Sequence, residues 1–319
     1  MKTKDFATRA AALVASRWVQ DGIKALLMLW LARADQLGFG LFVFGAVAAY
    51  MTRALLTLGM DLFALRERIL APESWGRILT GILKLKALLA FLAIASLLVF
   101  GQIKDWNRTQ LLVVLILVFS EVLEAMASTF FSLYRAEGRQ VQEAFCTAAA
   151  HMLGAVYGVA AMLLNWGIIA FCFFLVFSGG FKTALAMGFG FRYGLFPRKE
   201  RSGTPLPRYL TAGLLFIVGV SLLGSLYNQI QVFFLKHFRT LSDVAVYGAA
   251  GELCNALSGL VVSLIIGAVL YPGLVRAAQE GPGRMQKAMQ AYFWRLTVFA
   301  LGAAFFLLTL GGDLLLILF

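Results

Sequence analysis

Nine times along its 319 residues this chain runs apolar for about the length that crosses a bilayer, roughly 20 residues of helix. A hydropathy window of about 19 residues places spans near 11–33, 40–65, 81–101, 109–134, 142–164, 166–190, 209–235, 244–271 and 290–319. Composition agrees: 61% of residues are hydrophobic and 14% charged, where a soluble domain carries about a quarter charged. The expected fold class is therefore all-α, a polytopic membrane helix bundle.

Short loops join the spans. The longest stretch between them, "RYGLFPRKERSGTPLPRY" (192–209), holds three of the six prolines and a dense basic run. It reads as the hinge between two halves. Residues 1–191 then form an N-terminal lobe of six spans, 192–208 a basic inter-lobe linker, and 209–319 a partial C-terminal lobe of three spans. With the N-terminus inside, Arg66, Arg77, Lys84, Lys86, Arg135, Arg139 and the linker cations face the cytoplasm, against few cations outside. This bias orients the chain and accounts for its net charge of +12, so nucleic acid is not an expected partner. Cys146, Cys172 and Cys254 lie in separate apolar segments, with no metal-ligand spacing or disulfide framework. The final "LTLGGDLLLILF" stops inside an apolar run. Since a span ending in lipid leaves its last carbonyls unsatisfied, the expectation is a fragment or truncated version of a longer protein, with a genuine short ending at the outer surface as the alternative.

The first span is charged where it should be most apolar. "SRWVQDGIKALLMLWLAR" (16–33) carries Arg17, Gln20, Asp21 and Lys24. Steps of three, four and seven residues return to one helical face, so the four fall within an arc of about 100°. Each central charge costs about 2.5–3.5 kcal/mol on an insertion scale, so this face must look into the bundle or into water held by it. Other spans repeat the pattern: Glu121, Glu124, Ser128 and Ser132 in the fourth, Thr147, His151, Gly154 and Gly158 in the fifth, Ser221, Ser225 and Asn228 beside Gln229 and Gln231 in the seventh, and Gly248, Glu252, Asn255 and Gly259 in the eighth. Arg53, Lys182 and Arg295 add cations to the second, sixth and ninth. A shared hydrophilic cavity explains so many stripes. Individual residues keep other readings: Arg17 and Arg295 as snorkelling residues, Asp21 as a neutraliser of Arg17 or Lys24, Glu124 as the partner of a neighbouring cation, His151 as a satisfied buried histidine, Lys182 as interfacial, and Gly154–Gly158 as close helix packing.

Two histidines, His151 and His237, are not spaced as paired ligands or as a nucleophile's base. No Walker A sequence appears, and no loop clusters carboxylates, so an enzyme is not expected. A channel would show a repeated filter or a charged ring. Distributed polar faces on Gly-rich helices in two halves suit a transporter. A loose internal echo, "LGFGLFVFGAVAAYMTRALL" (37–56) against "LSDVAVYGAAGELCNALSGL" (241–260), fits repeated halves.

Four stretches carry a family resemblance. "LARADQLGFGLFVFGAVAAYMTRALLTLGMDLFALR" (31–66), "FSLYRAEGRQVQEAF" (131–145), "SDVAVYGAAGELCNALSGL" (242–260) and "VLYPGLVRA" (269–277) resemble, in order and spacing, the polysaccharide-type flippases of the multidrug/oligosaccharidyl-lipid/polysaccharide superfamily. The resemblance implies two six-helix lobes around a V-shaped cavity working by alternating access, of which this chain would supply the first and half of the second. It implies a multi-pass protein of the bacterial cytoplasmic membrane and a polyprenyl-pyrophosphate-linked oligosaccharide as substrate, with polysaccharide polymerase machinery as a possible partner. Arg17, Lys24 and Arg53, with Lys182 as a further candidate, would meet the pyrophosphate, and Arg53, placed mid-span, is the best single candidate. Asn228, Gln229, Gln231, Asn255 and the serines would serve the glycan, and Asp21 is a further expected substrate-binding residue. Glu121, Glu124 and Glu252 would couple transport to H+ or Na+, with no other cofactor. Those same carboxylates would suit a cation-coupled multidrug exporter of the superfamily, and a non-transporting scaffold of a glycan-assembly complex is a third reading.

Overall fold

The computed structural model describes residues 3–70, 75–194, 223, 230–232, 234–261 and 282–318. Their regular elements are helices: α1 (Thr3–Ala34), α2 (Gln36–Thr57), α3 (Met60–Leu70), α4 (Trp75–Ile103), α5 (Arg108–Ala136), α6 (Gln140–Leu163), α7 (Gly167–Arg192), α8 (Leu241–Val261) and α9 (Pro282–Leu318). Among the described residues there is no strand. By length and composition, α2, α4, α5, α6 and α7 are long and apolar enough to cross a membrane. α1 has the length, 32 residues or about 48 Å, but its charged face keeps it out of that group. It is held through its apolar side, with Leu27, Met28 and Leu31 buried in the core and α6 and α2 as its main neighbours.

The turns follow local chemistry. Asp35 alone separates α1 from α2, and its side chain accepts from the Gly38 N–H at 2.8 Å, capping an otherwise orphan donor. Asn107 and Gln110 form a reciprocal capping box at the start of α5. Thr240 and Asp243 do the same for α8: the Asp243 N–H donates to the Thr240 hydroxyl at 3.3 Å, and the Thr240 N–H donates to the Asp243 carboxylate at 3.1 Å. The Thr240 donors hold the Asp243 carboxyl below the ordinary carboxylate range.

The expected second span, 40–65, is two helices. α2 stops at Thr57, Leu58 and Gly59 take positive φ (33° and 73°), and α3 starts anew at Met60. The left-handed Leu58 returns its N–H to the Ala54 carbonyl at 3.2 Å, closing α2 at its C-cap. Because Leu58, Met60, Leu62 and Phe63 stay apolar across the break, a hydropathy window runs through it. Two consequences follow. Arg53 sits one turn from the end of α2 rather than mid-span, and Asp61 enters the bundle at the head of a separate helix.

α5 lies in the middle, against α2, α3, α4 and α7. Its Val113, Val114, Leu117 and Val118 are almost fully buried, against Phe39, Phe42 and Phe44 of α2 and Phe171 and Phe174 of α7. α6 and α7 approach closely because Gly154 has no side chain: a Cβ there would lie 2.9 Å from the Phe174 carbonyl oxygen. α2 meets α8 in the same way, where a Cβ on Gly40 would lie 2.1 Å from the Leu241 carbonyl oxygen. The α2–α8 contact lies in the N-terminal halves of both helices, away from the polar segments described next.

Candidate functional site

Five helices bring polar segments together: the middle of α1, the N-terminal half of α6, the C-terminal halves of α2 and α7, and α5 from its middle onward. Between them lies a cavity of about 470 Å³. α1 contributes Arg17, Gln20, Asp21 and Lys24, α2 contributes Tyr50 and Arg53, and α5 contributes Ser120, Glu121, Glu124 and Ser128. Thr147 and His151 of α6 and Lys182 of α7 complete the wall. The charged face of the first helix thus looks into a polar space, and Arg17 and Asp21 are exposed there.

The charges in this wall are not equally available. The cavity is lined by the cations Arg17, Lys24, Arg53, Arg135 and Lys182 and the carboxylates Asp21, Glu121, Glu124 and Glu143. Arg53 donates through Nη1 to Glu121 Oε2 at 3.1 Å, with the arginine side chain 37% exposed. One bond uses one of five guanidinium N–H donors, so Arg53 keeps bonding capacity toward the cavity. Arg135 clamps Glu143 with an Nε–Oε2 distance of 2.9 Å and joins the α5 and α6 ends. Lys24 donates to the Tyr50 hydroxyl, and its ammonium lies 5.1 Å from that ring's centre.

Lys182 is the most committed cation. It is 3% exposed and donates to both oxygens of Glu124, at 2.6 and 2.9 Å. Its third contact is His151 Nε2 at 3.0 Å. An ammonium has no acceptor, so Nε2 must accept. The imidazole proton then sits on Nδ1, facing Ser178 Oγ at 2.8 Å. His151 is a satisfied, neutral buried histidine. Lys182, expected as a further pyrophosphate donor, has all three of its N–H groups taken by the wall.

Of the other expected residues, Gln231 is exposed and accepts from the Tyr247 hydroxyl at 2.5 Å, and it does not line the cavity. Asn228 and Gln229 lie outside the described residues, as do the side chains of Glu252, Asn255 and Arg295. Two participants were not anticipated. Tyr50 lies three residues before Arg53, which puts both on one face. Lys86, counted with the cytoplasmic flanks, is instead fully buried because α4 begins at Trp75 and carries it into the bundle. Asp61 and Lys86 make an ion pair at 2.8 Å. Cys146 and Cys172 are free thiols buried among apolar neighbours. Among the described residues no cluster of His, Cys, Asp and Glu could hold a metal ion.

No protein-family model matches the sequence, and no curated protein does. Among solved structures the fold is similar to that of "MATE in the bent conformation", with a TM-score of 0.55 and 14% identity, over 100% of this chain and 80% of the other. The likeness is one of fold. The chain is a multi-pass helical bundle, with five helices among its described residues long and apolar enough to cross a membrane.

Proposed function

We propose that this chain belongs to a transporter that moves a polyprenyl-pyrophosphate-linked oligosaccharide from the cytoplasmic to the outer leaflet of the bacterial inner membrane, for surface polysaccharide assembly. The observation that carries this reading is the excess of cations over carboxylates in the cavity wall. Glu121 and Glu124 are held by Arg53 and Lys182, and the wall carries the cations Arg17, Lys24, Arg53, Arg135 and Lys182 against the carboxylates Asp21, Glu121, Glu124 and Glu143. A pyrophosphate leaving water needs charge-assisted donors to offset its desolvation, and this arrangement supplies them. Gln20, Ser120 and Thr147 offer exchangeable partners to a sugar. With the N-terminus inside, the polar segments of α2, α5, α6 and α7 lie toward the cytoplasm, where a lipid-linked glycan is made. The prenyl tail stays in lipid. A polysaccharide polymerase complex is the fitting downstream partner.

The second reading is a cation-coupled multidrug exporter, supported by the fold of the solved MATE. An organic cation would need an uncommitted carboxylate, and Asp21 is the exposed one in this wall. Glu121 and Glu124, with Glu252, remain the candidates for coupling to H+ or Na+ in either reading. The discriminating experiment is Arg17→Ala, Lys24→Ala and Arg53→Ala, with membrane abundance checked by immunoblot. The expected outcome is loss of surface polysaccharide at normal abundance, with resistance to cationic dyes unchanged by expression of the intact protein. Normal polysaccharide in all three variants, or raised dye resistance, would overturn the flippase reading.

A further inference from the structure

Beyond the cavity, one charged group has a separate and enclosed setting. Lys86 is 0% exposed, and its ammonium touches three oxygens of three kinds. These are the Asp61 carboxylate at 2.8 Å, the Thr129 hydroxyl at 2.7 Å and the main-chain carbonyl of Ala125 at 2.7 Å. The second Asp61 oxygen is fixed by Ser128 Oγ at 2.6 Å, and Thr129 Oγ1 also reaches Asp61 Oδ1 at 3.0 Å. Every ligand is therefore oriented by another.

This donor set differs from that of the other buried lysine. Lys182 has an imidazole nitrogen among its partners; Lys86 has oxygen only. Carboxylate, carbonyl and hydroxyl oxygens from two helices are the ligands that replace the hydration shell of an alkali cation. An ammonium carries the same single charge at a similar size. The helix break at Leu58–Gly59 matters too, because it lets α3 deliver Asp61 against α5.

We infer that the Asp61–Ala125–Thr129 cage is a monovalent-cation site in which Lys86 serves as a built-in ion. Wild-type protein then needs no soluble cation at this place, and shortening Lys86 converts the cage into a site for K+ or Na+. Nothing in this inference depends on the substrate of the cavity.

The test is thermal unfolding of the full chain, purified in detergent, in chloride salts of K+, Na+ or N-methyl-D-glucammonium at equal ionic strength. The wild type is expected to melt at one temperature in all three. Lys86→Ala is expected to melt about 10 °C lower in N-methyl-D-glucammonium and to recover at least half of that loss in K+ or Na+, saturably. Adding Asp61→Asn to Lys86→Ala should abolish the recovery, and Lys86→Met, whose stem fills the space, should show none. Lys86→Ser, which adds a ligand oxygen, carries the same prediction if Lys86→Ala accumulates poorly. Cation-indifferent melting of Lys86→Ala and Lys86→Ser would overturn the inference. So would the failure of both to accumulate in cells, since cytosolic K+ should then replace the ammonium.

Discussion

Two ion pairs in this bundle use the same chemistry in opposite settings. Arg53–Glu121 lies in the cavity wall, with side-chain exposures of 37% and 13%. Lys86–Asp61 lies between α3, α4 and α5, with exposures of 0% and 20%. The first pair is solvated on one side and engages one of the donors available to the guanidinium. The second uses all three hydrogens of its ammonium and encloses them. The wet pair can change partners at small cost, which suits a binding surface. The ammonium of the second pair is fully enclosed and has no water to take over, which suits a joint. Within one helix, α5, Glu121 serves the first setting and Thr129, two turns on, serves the second.

The largest expected effect is at the dry pair. Lys86→Met leaves the partly buried Asp61 without its cation and should cost about 3 kcal/mol, with Lys86→Met/Asp61→Asn recovering part of that loss by urea or thermal unfolding. A loss below about 1 kcal/mol would place the pair with surface bridges. Next comes the packing that keeps the α6–α7 side of the wall together. Gly154→Val drives a side chain toward the Phe174 carbonyl and should cost about 1–3 kcal/mol. It should also disturb the neighbouring contact of His151 with Ser178, visible as a changed histidine NMR signal. Arg53→Met comes third: at most about 1 kcal/mol of stability, although export is lost. If Arg53→Met destabilises as much as Lys86→Met, the two settings are not different.

The smallest effect lies in the fully exposed cap of α8. Hydrogen bonds from Thr240 lower the Asp243 carboxyl in the folded state, so they contribute stability above the ordinary aspartate pKa of about 4. That contribution is lost as pH falls through the lowered folded value. Wild type and Thr240→Val should therefore differ in melting temperature at pH 7 and converge in strong acid.

The fold class was legible because apolar runs of bilayer length dominate the sequence. The meeting of Arg17, Asp21 and Lys24 with Arg53, Glu121 and Glu124 was legible for a similar reason. The positions of α1, α2 and α5 repeat with helical period, and charge in a span must find polar company. What escaped was anything decided by a turn or by depth. Leu58 and Gly59 break a helix inside a continuous apolar run, so Asp61 was counted as part of a span and Arg53 as its midpoint. Lys86 follows Lys84 near the start of an apolar run and looks like a flanking cation. Only the earlier start of α4 and the arrival of Asp61 from α3 put it inside. Gln231 lies near other amides in sequence but accepts from Tyr247, a partner from another segment that spacing along one helix does not give.

The contrast between wet wall and dry joint is tested most directly by single cysteines in a background lacking Cys146, Cys172 and Cys254. Asp21→Cys, Lys24→Cys and Arg53→Cys sample the cavity; Ala125→Cys and Thr129→Cys sample the enclosed face of α5. Each is exposed in membranes to a charged, water-soluble maleimide. The three cavity positions should react readily and the two α5 positions only after denaturation. Protection of positions 21, 24 and 53 equal to that of 125 and 129 would contradict a water-filled cavity, and with it the transport reading.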